Sequence, residues 1–70
     1  MKYSNGQNVR MHGPITLQGP LGQVSMGAEE SVPGRIVMAY TNCTYDVQTA
    51  EPVAGINYFP AVKEKQISPA

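Results

Sequence analysis

Glycine and proline interrupt this chain so often that most of it falls into pieces too short for an ordinary helix. The interruptions cluster at Gly13-Pro14, Gly19-Pro20 and Gly22, then at Gly27, Pro33-Gly34, Pro52, Gly55 and Pro60. What lies between them alternates apolar and polar residues in the period of a β-strand. Val9 and Met11 alternate with Asn8 and Arg10 in a short first strand. Residues 13–22 read as a loop, because proline removes backbone donors that a central strand needs. Gln23 to Met26 forms a short strand with Val24 and Met26 on one face, and the polar stretch Gly27 to Pro33 interrupts it.

Arg35 to Tyr40 is the strongest strand, apolar on both faces from Ile36 onward, as expected of a strand at the centre of a small barrel. Thr41 to Thr44 supplies a turn, and Tyr45, Val47 and Thr49 alternate with Asp46 and Gln48 on the return strand. Glu51-Pro52 breaks that strand and Gly55 permits the bend into Ile56 to Phe59, which ends at Pro60. Pro60 to Lys65 is long enough for one helical turn, Gln66 to Ser68 closes the sheet, and Pro69-Ala70 is a tail. The pattern describes an all-β, single-domain chain over residues 1–70: a five-stranded SH3-like barrel with a long first loop and one helical turn before the last strand. An OB-fold is the second choice, since it usually needs a longer chain. Ile36, Met38, Tyr45, Val47 and Ile67 are the expected interior.

A chain of 70 residues has little interior to bury. Apolar burial is worth about 100 kcal/mol at about 25 cal/mol per Å², against about 105 kcal/mol of conformational entropy. Further burial against a copy of itself or another protein is therefore favoured. Five basic and five acidic residues leave no net charge, which argues against holding nucleic acid electrostatically. A single cysteine cannot form an internal disulfide, so a reducing, cytoplasmic setting is expected, and no apolar run approaches the length of a membrane span.

Chemistry-bearing residues are sparse. His12 and Cys43 are each the only one of their kind and have no metal-ligand spacing, so no metal is expected. Cys43 has no basic neighbour to lower its pKa. Glu29 and Glu30, being adjacent in an extended segment, point apart and cannot share a proton. Gly19 to Gly22 lacks the Lys-Ser or Lys-Thr that would make it a phosphate loop. Neither catalytic residues nor a cofactor site emerge. The large rings Tyr40, Tyr45, Tyr58 and Phe59 stand out instead. Tyr58 and Phe59 are adjacent in a strand, so one of them must leave the interior. Asn57, Tyr58, Phe59 and Tyr40 are the candidate interface residues, since aromatic side chains anchor protein contacts.

Gly34-Arg35-Ile36-Val37 followed by Tyr40, the hairpin residues Thr41-Asn42, Thr44, Tyr45 and Val47, and the closing segment Gly55, Pro60-Ala61-Val62 and Ile67 carry a resemblance. Over residues 34–67 the chain resembles the plasmid-borne type II dihydrofolate reductases. These are SH3-like barrels that assemble as tetramers around one shared active-site pore. The resemblance implies the barrel fold and self-association. It does not extend to the pore. Where that family carries a Val-Gln-Ile-Tyr motif this chain has Ile56-Asn57-Tyr58-Phe59, and where it carries a lysine after the first strand this chain has Arg10-Met11-His12. Phe59 lacks the hydroxyl and Asn57 is one methylene short of glutamine.

The function expected from this reading is a non-catalytic protein-interaction or structural module, self-associating as a homo-oligomer or serving as an accessory subunit of a larger assembly. One alternative is a divergent type II dihydrofolate reductase-like enzyme, using NADPH and dihydrofolate in a pore shared between subunits. A second is a nucleic-acid-binding barrel that stacks bases on exposed rings. Carriage by a phage or another mobile element, as a virion component, is compatible with so small a barrel.

Overall fold

The computed structural model describes residues 2–70. Seven strands form: β1 (Asn8–His12), β2 (Ile15–Gly19), β3 (Gly22–Met26), β4 (Ser31–Ala39), β5 (Thr44–Val53), β6 (Ile56–Lys63) and β7 (Ile67–Pro69), with a 3₁₀ turn at Glu64–Gln66 before the last. The protein is all-β. Among the described residues no helix is long and apolar enough to cross a membrane.

Five strands make one antiparallel sheet in the order β6-β5-β4-β1-β7, and β2 and β3 pair separately as a hairpin. Alternate residues of the large sheet share one face and build the core. Val9 and Met11 of β1, Ile36 of β4, Tyr45 and Val47 of β5, Phe59 and Val62 of β6, and Ile67 of β7 are all buried there, together with Tyr3. The hairpin packs onto the same cluster through Met26, with Ile15 and Leu17 partly buried against it. Its tip also presses on β6, since a Cβ at Gly19 would lie 2.6 Å from Ile56 Cδ1.

Several elements differ from the sequence expectation. Residues 13–22 are not a loop, because Ile15 to Gly19 pairs in register with Gly22 to Met26. The prolines permit this because Pro14 precedes β2 and Pro20 sits in the two-residue tip, both outside the ladder. The stretch from Gly27 to Pro33 does not interrupt as far as expected: β4 already starts at Ser31, and Val32 and Pro33 pair with Met11 and Arg10. Pro33 lies before the first β4–β5 pair, Gly34 with Thr49, so it has a ladder partner on one side only. β5 runs on through Glu51-Pro52 to Val53, and β6 through Pro60 to Lys63, which shortens the helical turn to Glu64–Gln66. Pro60 is tolerated because β6 is an edge strand.

The central strand is not buried on both faces. Ile36 is buried, whereas Val37, Tyr40 and Met38 are exposed, Met38 to 45%. The register shifts between Ile36, opposite Val47, and Met38, opposite Asp46. Val37 is thus an extra residue in a β-bulge, which moves Met38 to the outer face. Met38 is therefore no part of the interior, while Ile36, Tyr45, Val47 and Ile67 are.

The two ends of the chain are tied together. Tyr3 Oη donates to the Ile67 carbonyl at 2.9 Å. The Tyr45 hydroxyl donates to Glu64 Oε2 at 2.6 Å and accepts from the Lys2 and Tyr3 amides at 3.0 and 3.3 Å. The Tyr3 and Tyr45 rings meet edge to face at 5.5 Å. Burial raises the Tyr45 pKa, with the Glu64 bond adding to the effect, and the Tyr45 hydroxyl in turn lowers that of Glu64.

Candidate interaction surface

The outer face of β4, β5 and β6 carries the most concentrated set of exposed large side chains: Val37, Met38, Tyr40 and Tyr58. At its centre is Asp46, whose side chain belongs to the outer row of β5 and yet is only 6% exposed. Both neighbouring strands bulge beside it. On one side the extra residue is Val37. On the other, the register moves from Tyr45 opposite Val62 to Val47 opposite Phe59, so that Pro60 and Ala61 together face the single residue Asp46. Ala61 takes a left-handed φ of 54°, and its N–H donates to Asp46 Oδ1 at 3.1 Å. The second carboxylate oxygen receives two phenols, Tyr40 Oη at 2.8 Å and Tyr58 Oη at 2.6 Å.

Burial disfavours the Asp46 anion, but the bonds from Tyr58, Tyr40 and the Ala61 N–H outweigh it and hold the carboxyl below its ordinary range. The same bonds make the phenols harder to ionise. Tyr40 is raised, and Tyr58 is pushed up to about 12, chiefly by its bond to Asp46. At neutral pH the arrangement is one carboxylate clasped by two protonated tyrosines. Among the described residues no buried polar side-chain atom lacks a partner. The site has no nucleophile paired with a base, and no cluster of His, Cys, Asp or Glu among the described residues could hold a metal ion.

Of the residues singled out from sequence, Tyr40 and Tyr58 are brought together on this face. Phe59 is 1% exposed and belongs to the core, so it has no surface to offer a partner. Asn57 is exposed and lines a neighbouring groove of about 480 Å³ with Arg35, Gln48 and Thr49. Met38 and Asp46 were not among the candidates. The bulge concealed Met38, but an aspartate inside a strand is an uncommon choice and was a readable signal at Asp46. The isolated residues stay isolated: His12 Nε2 lies 2.6 Å from Ser68 Oγ, and Cys43 is exposed in the β4–β5 turn.

Comparison with protein-family models, curated proteins and solved structures finds no match to this chain.

Proposed function

We propose that this chain is an SH3-like barrel acting as a non-catalytic interaction module, and that it associates with a second copy of itself through the outer face of β4, β5 and β6. The strand order supports the barrel. Reading β7-β1-β4-β5-β6 across the sheet gives the order of an SH3-like barrel opened between its first and last neighbours. The β2–β3 hairpin then occupies the long first connection, and the 3₁₀ turn sits before the closing strand.

The observation that carries the functional reading is the exposure of Val37, Met38, Tyr40 and Tyr58 around an aspartate that is already satisfied. Such a face gains by losing water, because its polar centre needs none. Zero net charge removes repulsion between copies. A standard interface takes about 800 Å² from each partner, a little under a fifth of the 4418 Å² that one copy exposes. The two-fold contact that unites like faces is the commonest in soluble proteins.

Sedimentation equilibrium tests the reading. The wild type should form a dimer or a higher closed oligomer at micromolar concentration, and Met38→Glu should be a folded monomer. A wild type that stays monomeric at several hundred micromolar contradicts the proposal.

A further inference from the structure

The tyrosine clasp restricts what chemistry can lie against it. Both phenol protons are directed at Asp46 Oδ2, so the phenol oxygens offer an incoming group lone pairs and no hydrogen. With a carboxylate behind them, the two rings present an electronegative surface. A carbonyl or carboxylate is repelled there. An N–H donor is accepted, and a guanidinium best of all, because its planar fork reaches two oxygens at once and stacks on aromatic faces.

The same sheet face carries two such groups, of which Arg10 of β1 is engaged locally, its Nε donating to Ser31 Oγ at 3.0 Å, which leaves Arg35. Arg35 of β4 stands opposite Gln48, and Gln48 stands opposite Tyr58, in one row across three strands. Asp46 lies one row away, opposite Met38. Arg35 is exposed, and its Nε donates to the Gly6 carbonyl at 3.2 Å. Gly6 borders β4 on the β1 side, where its N–H meets the Ile36 carbonyl at 2.7 Å. That bond draws the guanidinium away from the clasp of its own chain, which lies on the β5 and β6 side. The terminal nitrogens make no hydrogen bond among the described residues.

A two-fold contact requires a face complementary to itself. We propose, resting on the self-association reading above, that Arg35 of each copy docks on the Tyr40–Asp46–Tyr58 clasp of the other. The outer face holds a cationic donor and an acceptor-only clasp at separate positions, and a two-fold axis between them brings each onto its opposite. Two reciprocal contacts form per dimer, each with a desolvated carboxylate behind it.

Sedimentation equilibrium of Arg35→Gln separates this contact from mere apolar adhesion. Arg35 is exposed and its side chain bonds only the Gly6 carbonyl among the described residues, so the variant should keep the fold, and its dimer should weaken about tenfold or more. Arg35→Glu should weaken it further, because it sets a second carboxylate against Asp46. The single change Tyr58→Phe keeps the ring and removes one acceptor, while Asp46 Oδ2 retains its bond from Tyr40. It should weaken the dimer, and adding Arg35→Gln to it should cost less than Arg35→Gln alone costs the wild type. If the Arg35 variants dimerise like wild type while Met38→Glu does not, the arginine contact is overturned and self-association stands. A monomeric wild type overturns both.

Discussion

Ile36 and Met38 lie two positions apart on one strand and would share a face if β4 were regular, so truncating each to alanine measures the bulge between them. Ile36 is 1% exposed and packs opposite Val47. Ile36→Ala removes three carbons, worth about 2.4 kcal/mol at about 0.8 per methylene. A partly collapsed cavity adds roughly 0.5 to 1.5 kcal/mol at about 24 cal/mol per Å³. The sum, about 3 to 4 kcal/mol, rivals the whole stability of about 3.5 to 10 kcal/mol expected for a domain of this size. At a urea slope of about 1 kcal/mol per molar, the midpoint should fall by about 3 to 4 M. Met38, at 45% exposure, should cost about 1 kcal/mol or less on truncation. Urea titration followed by tyrosine fluorescence suits a chain without tryptophan, at a concentration low enough to keep it monomeric. Equal losses from the two variants, or a larger loss from Met38→Ala, would refute the bulged register and the outer face built on it.

Three further outcomes follow from the same geometry. Asp46→Asn removes the charge that holds the phenol protons, so the Tyr58 ionisation should drop from about 12 toward the ordinary 10 in an ultraviolet pH titration; an unmoved titration would mean the clasp does not form. Asp46 and Glu64 both have folded pKa values below their unfolded ones, so their contribution is complete above the unfolded carboxyl range and is lost as pH falls through the folded values. The urea midpoint should decline below about pH 4, less steeply in Asp46→Asn, and a midpoint that rises on acidification would contradict this. Gly34→Ala sets a Cβ 2.6 Å from Val47 Cγ1 and 3.3 Å from the Gln48 carbonyl oxygen, and should cost about 1 to 3 kcal/mol in the same denaturation assay.

The strands that alternate cleanly were legible in the sequence, and those whose period is broken were not. Val9 and Met11, Val24 and Met26, and Tyr45 and Val47 are buried as their spacing implies. The split of Tyr58 from Phe59 followed from strand geometry alone, although which ring turned inward did not. Met38 was misplaced because one inserted residue, Val37, reverses the alternation after it, and nothing local marks the insertion. The β2–β3 hairpin was lost to a rule about proline that holds inside a ladder and not at its ends. Its signal was present in Ile15 and Leu17 facing Met26 and Val24 across Gly19 and Gly22. The clasp was half legible. Tyr40 and Tyr58 were candidate interface rings alongside Phe59, but their meeting at Asp46 depends on two bulges, one on each flanking strand, and those are products of the assembled sheet.

The pairing of β1 with β7 also governs how the chain reaches its fold. Val9, Arg10 and Met11 take their partners from Pro69, Ser68 and Ile67, nearly the whole chain apart, and β1 meets β4 only after the hairpin has been spanned. Tyr3 reaches Ile67 across the same separation. The sheet is thus dominated by contacts distant in sequence, which places its folding in the slow range of milliseconds to seconds for small all-β domains. During synthesis β1 has no β7 to pair with until residues 67–69 have emerged. Until then Val9 and Met11 lack part of their cover, and a nascent chain of this protein depends on the β4–β5 and β5–β6 hairpins, whose partners are near in sequence, to hold its first structure.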